Sequence, residues 1–212
     1  MNAVNLNQVW TNLTSTCEDK QLTQALWTEI EKEHTRKKRH YHNLHHLENM
    51  IQFAFQYQDQ INHLETILFT IFYHDIVYHV TRKDNEEKSA LVATDRLSKL
   101  NLDKEVISHI ERQILETKYH RLQVEQDTNF LLDFDLAILG SDSDTYKLYT
   151  KNIREEYSIY PNFLYRKGRI KVLKHFLESD SIYKTSPFIE KYENQARLNL
   201  EKELTQLLNT VN

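Results

Sequence analysis

Glycine, proline and cysteine are nearly missing from this chain: 2 Gly, 2 Pro and 1 Cys in 212 residues. So few glycines leave few sites for tight hairpin turns, which argues for helices joined by short polar loops rather than for a sheet. The lone Cys17 excludes a disulfide framework and a cysteine-based metal site. No apolar run approaches the ~20 residues of a membrane span. The first residues, Met1 to Leu6, lack the basic region and apolar core of a secretory leader. A strong charge of one sign is lacking too. The net charge is -4 with 27% charged residues, so no broad electrostatic grip on nucleic acid is expected. The expectation is a soluble cytoplasmic protein with no nucleic-acid or membrane partner.

What the chain has is enough length for one compact domain with a real core, filled with the residues that favour helices. Apolar positions recur at helical spacing. Leu6, Val9, Trp10 and Leu13 mark a helix over 6–17, and Leu22, Leu26, Trp27 and Ile30 one over 21–32. Leu47, Met50, Ile51, Ala54 and Phe55 mark 43–58, and the most apolar stretch predicts a helix over 61–78. Further helices are expected over 86–99, 104–118, 124–139 (stopped by Gly140), 144–157, from Pro161 to about 177, and from 186 to about 208. A single all-α domain, 1–212, of about ten helices follows. Residues 34–40 are strongly basic and read as a loop. It is either a solvated connector or a rim, including Arg39, that draws in an anionic substrate.

Eight of the 11 histidines cluster between His34 and His79. Two segments stand out, Tyr41-His42-Asn43-Leu44-His45-His46 and Phe72-Tyr73-His74-Asp75-Ile76-Val77-Tyr78. An adjacent His-Asp pair at the end of an apolar helix is costly unless something compensates it, and a divalent metal would. His42 and His46, four apart, can look the same way if the helix begins by residue 42, while His45 points elsewhere. A third segment, Leu131-Leu132-Asp133-Phe134-Asp135-Leu136, supplies carboxylates. Two residues apart on a helix, Asp133 and Asp135 cannot face one way. His46, His74, Asp75 and one aspartate would form a mixed nitrogen and oxygen set that leaves room for water or substrate. The bland alternative for each histidine is a satisfied core residue.

These segments resemble the HD-domain superfamily of metal-dependent phosphohydrolases, whose pattern is His, then His-Asp, then Asp on helices. The closer similarity is to a bacterial subfamily of uncharacterised HD phosphohydrolases. It is carried by Arg39-His40-Tyr41-His42-Asn43-Leu44, Tyr73 to Tyr78, Asn85-Glu86-Glu87-Lys88-Ser89-Ala90, Asp133 to Gly140, and Ile153-Arg154-Glu155-Glu156-Tyr157. The resemblance implies an HD-type bundle with its metal-site core at about 39–157. It implies a divalent cofactor (Mn, Fe, Zn, Mg, Ni or Co) held by His46, His74, Asp75 and Asp135. Asp135 is preferred because it precedes Leu136 as the ligand does in similar proteins, and Asp133 then supports or caps. A second similarity, of Tyr41-His42-Asn43-Leu44-His45-His46 to the Tyr-His-Asn-x-x-His of cyclic-nucleotide phosphodiesterases, implies a general acid at His42. Nothing here resembles that family's purine-clamping glutamine, so its substrate specificity does not transfer.

The implied activity is hydrolysis of a phosphate ester, in a nucleotide or related small molecule, by a metal-activated water. His42, Asp75 and Glu86 are the catalytic candidates. Arg39, Asn85, Lys88, His120, Arg154 and Tyr157 are weaker substrate contacts. Each has a plain alternative: Glu86 as a helix-start acid, His120 as a loop histidine, Arg154 as a packing residue with Tyr157 in the core. Tyr41, Tyr73 and Tyr78 read as walls rather than catalysts. Two other functions fit the pattern, a nucleotide-binding module without hydrolysis and a di-iron oxygenase. A homodimer is allowed but not implied.

Overall fold

The structure, a computed structural model, describes residues 4–209 of the chain. Among the described residues there are ten α-helices and no strand, in line with the all-α expectation. They are α1 (Leu6–Leu13), α2 (Lys20–His34), α3 (Leu44–Gln56), α4 (Leu64–Tyr73), α5 (Asn85–Ser98), α6 (Lys104–Glu116), α7 (Gln126–Leu136), α8 (Ser143–Glu156), α9 (Asn162–Leu177) and α10 (Ser186–Asn209). Short polar side chains start several of them. Asn5, Asp19, Asn43, Asp103 and Asp142 each accept a hydrogen bond from a first-turn backbone N–H that the helix leaves orphaned. No helix among the described residues is long and apolar enough to cross a membrane.

The chain falls into two compact units, one ending at Phe134 and the other beginning at Asp135. The first is built around α4, whose residues from Thr66 to Tyr73 are all buried. A helix apolar on every side must be enclosed, and α3, α5 and α6 pack against it. The two tryptophans close the remaining side edge-on: Trp10 on Phe72 (ring centroids 5.4 Å) and Phe69 (6.0 Å), Trp27 on Phe72 (6.3 Å). The start of α4 is fixed by the fully buried Asp127 of α7, which accepts from the backbone N–H groups of Asn62 (3.0 Å) and His63 (2.7 Å). A buried polar chain, Thr70 to Gln113 to Thr128, ties α4 to α6 and α7.

The helix expected to run to residue 78 stops at Tyr73. Beyond it the backbone polar groups find partners outside the helical ladder. The Ile76 carbonyl accepts from Arg39, and Val77 and His79 are bonded by side chains of α5. His74 and Asp75 therefore sit in the turn after α4, not on it. Helix α7 likewise ends at Leu136 and tightens into a 3-10 turn, Ala137–Gly140.

In the second unit, α10 packs on α9 and on that turn. Asn199 donates to the carbonyls of Leu139 (2.9 Å) and Ser141 (2.8 Å), and the Tyr183 hydroxyl donates to Leu136 O (3.1 Å). Gly140 is not a left-handed helix cap, since its φ is not positive. It is needed for space: a Cβ there would lie 2.7 Å from both Cβ and O of Tyr192. Gly168, inside α9, has nothing within 4 Å of the corresponding position. Arg169 and Glu203 form a buried bidentate ion pair at 2.8 and 2.9 Å, and Tyr146 donates its hydroxyl to the same carboxylate (2.5 Å).

Candidate metal centre

Asn43 sets the first ligand. As N-cap it accepts from His45 N at 2.9 Å, which starts α3 at Leu44 and places His46 in the first turn, buried against the core. His45 points outward, as expected, and pairs with Glu48. His42 lies before the cap, so it does not share a helical face with His46. Its ring is nonetheless held close to it, with centroids 5.8 Å apart, and it stacks on Tyr78 at 4.2 Å and 29°.

The second pair follows the end of α4. The His74 backbone N–H still bonds to Thr70 O, and its ring Nδ1 lies 2.9 Å from the Ile71 carbonyl. A carbonyl only accepts, so Nδ1 carries the proton and the Nε2 lone pair is left facing away from the backbone. That bare nitrogen sits 3.3 Å from Nε2 of His46 and 3.4 Å from Oδ2 of Asp75. The three donor atoms lie within 4.8 Å of one another, the only such group among the described residues.

This donor set fits a divalent cation. Two imidazole nitrogens and a carboxylate oxygen are ordinary ligands for Zn, Mn or Fe. Atoms each about 2.0–2.2 Å from one ion are separated by spacings of this size. A histidine whose far nitrogen bonds a backbone carbonyl has its ligating nitrogen fixed in direction. Without a proton or a cation between them, three acceptors this close would repel, and both histidines are buried from water.

Arg39 links the two segments. Its guanidinium donates to His42 O (3.0 Å) and Ile76 O (3.1 Å) and lies 5.5 Å from the Tyr78 ring centroid. It is buried, so of the basic run at 34–40 this residue is neither solvated connector nor open rim. The run also begins differently from expectation, because His34 ends α2. It is buried too, with Nδ1 bonded to Ile30 O, and burial, with the nearby Arg39 charge, pulls its pKa down to about 3.

The remaining candidates fall as follows. Glu86, in the first turn of α5, is half-buried, and that burial pushes its carboxyl pKa up; Lys118 Nζ is 4.0 Å away. The Asn85 side chain is taken up by the His79 backbone. Lys88 is exposed and lines a surface hollow of about 420 Å³ with His79, Arg82 and Arg96. Two residues from Glu86 on one helix, it is turned by about 200°, so the two side chains do not serve one site. His120 follows α6 in a left-handed backbone conformation (φ 48°), half-buried. Tyr73 packs on Trp10 (ring centroids 6.2 Å).

Asp133 is fully buried in α7; Asp135, one half-turn on, is half-buried and opens the second unit. Arg154, also in that unit, donates to Tyr157 O (2.9 Å), Tyr160 O (3.1 Å) and Asn162 Oδ1 (2.7 Å) and lies over Tyr165. It joins the end of α8 to the start of α9, which accords with the packing role. Tyr157 stacks on Tyr160. Sequence reasoning missed His34 and Ser89. Ser89 lay inside the segment Asn85 to Ala90 that carries the resemblance, four residues, one turn, after Asn85.

No family model, no curated protein and no solved structure matches this chain.

Proposed function

We propose that this protein is a metal-dependent phosphohydrolase acting on a phosphate ester of a nucleotide or a related small molecule. The observation that carries the reading is the convergence of His46, His74 and Asp75, with Nε2 of His74 aimed by the Ile71 carbonyl. The pattern resemblance to HD phosphohydrolases supplies the reaction class. A bound divalent ion would make water nucleophilic near neutral pH and polarise a phosphoryl oxygen.

The chain's own residues have separable tasks. His46, His74 and Asp75 would hold the ion, and the second carboxylate oxygen of Asp75 would orient the incoming water. Glu86, whose raised pKa makes it a better proton acceptor than an exposed glutamate, takes the proton that the water loses. As the new P–O bond forms, the P–O bond to the leaving group breaks, and His42 gives that oxygen a proton. Tyr78 stacks on one face of the His42 ring, and Tyr41 meets that ring at a right angle.

The test is elemental analysis of freshly purified protein, then turnover of a panel of nucleotides and sugar phosphates with the metal found. His74→Ala combined with Asp75→Ala is expected to lose both metal and turnover with the helical circular dichroism retained. Unchanged turnover would reject the assignment.

A further inference from the structure

The segment between the His-Asp pair and α5 is neither helix nor strand, yet it is tied down residue by residue. Ile76 O accepts from Arg39. At Val77 the single hydroxyl of Ser89 serves both backbone groups, accepting from N (3.1 Å) and lying 3.2 Å from O. At His79 the amide of Asn85 does the same, accepting from N through Oδ1 (3.1 Å) and donating to O through Nδ2 (3.0 Å). Asn85 and Ser89 are one turn apart on α5 and so present a matched pair of two-way hydrogen-bonding groups. They grip the residues on either side of Tyr78. What the grip presents is the Tyr78 ring, stacked at 4.2 Å on His42.

We propose that Asn85 and Ser89 are positioning residues that set the place of His42 through Tyr78. The proposal rests on the reading of His42 as the acid that protonates the leaving oxygen. A proton donor displaced by about 1 Å can lose a hundredfold in rate. The backbone is held on both sides of Tyr78, which limits where its ring can stand, and the stacked imidazole follows that ring. Asn85 therefore acts on the loop, in place of the substrate contact expected from the sequence. The Arg39 bond to Ile76 O completes the hold from the side of the His42 segment.

Proton NMR of the full chain in magnesium, with His42 assigned by its loss in His42→Gln, tests the geometry without any substrate. A ring stacked at this distance shifts the His42 ring protons upfield. Asn85→Ala with Ser89→Ala is expected to remove most of that shift, as Tyr78→Leu does, while Ser89→Thr keeps it. Should the double variant not fold, Asn85→Asp, which deletes only the donor to His79 O, is expected to lose part of the shift. A His42 shift unchanged in folded double variant, or in Asn85→Asp if that is the one that folds, overturns the proposal.

Turnover adds a second readout, using phenyl phosphate and p-nitrophenyl phosphate with manganese. The poorer phenolate leaving group needs the proton more. The double variant is expected to slow phenyl phosphate about tenfold more than p-nitrophenyl phosphate, a split that a simple loss of folded protein would not produce. Equal slowing in His42→Gln would remove His42 as the acid, while equal slowing in the double variant alone would remove the clamp.

Discussion

Two buried polar clusters in this chain are built on opposite terms. In the second unit Arg169, Glu203 and Tyr146 satisfy one another: a guanidinium fork meets a carboxylate, and a hydroxyl donates to the same group. In the first, three ion-binding atoms crowd together, Nε2 of His74 lying 3.3 Å from Nε2 of His46 and 3.4 Å from Oδ2 of Asp75, while Nδ1 of His74 bonds the Ile71 carbonyl. Burial of the first kind closes on itself and needs nothing more. Burial of the second kind is costly until a cation or proton enters. Buried charge alone would not single out the candidate metal site; the crowding of its two imidazoles and a carboxylate does.

That contrast can be broken most severely at the metal centre. His74→Ala with Asp75→Ala should abolish metal content and turnover, read by elemental analysis and a phosphatase assay, with secondary structure intact. Next comes the closed cluster. Glu203→Ala leaves a buried guanidinium unpaired and should cost about 3–5 kcal/mol in urea unfolding, whereas Arg169→Met with Glu203→Leu should recover most of that loss. The open cluster should respond to ligand instead. Metal at about a hundredfold over its Kd should add about 2.7 kcal/mol of stability and raise the melting temperature by about 5–10 °C, with no effect in His74→Ala.

A smaller effect belongs to His34. Its folded-state pKa of about 3 lies below the ordinary 6.5, so as pH falls the unfolded chain takes up this proton first. Stability is therefore full above pH 6.5 and declines below it, by about 2 kcal/mol at pH 5. His34→Phe should flatten the difference measured between pH 7 and pH 5. The smallest effect is expected at the exposed Arg82–Asp84 pair, where Arg82→Ala should leave the urea unfolding midpoint unchanged.

The helices were legible because their apolar spacing is strong and because 2 Gly and 2 Pro leave little else to build with. The His46, His74 and Asp75 cluster was legible because His74 and Asp75 are adjacent beside an apolar run. What could not be read was where that run stops being a helix. The end of α4 depends on Arg39, Asn85 and Ser89, whose bonds to Ile76, His79 and Val77 reach across 37, 6 and 12 residues. The same partners hid the burial of Arg39, since a basic run looks solvated until its carbonyl acceptors are known. A shared face for His42 and His46 required the helix to begin by residue 42, and the Asn43 cap starts it at Leu44.

The two glycines carry a practical consequence. At position 140 any side chain must displace the main chain of Tyr192, so every other residue should be depleted there in a selection for folded variants. At position 168 alanine meets empty space within a helix and should add about 1 kcal/mol. One glycine is a spacer that protein engineering must leave alone. The other offers a way to toughen the second unit before anyone alters the histidines.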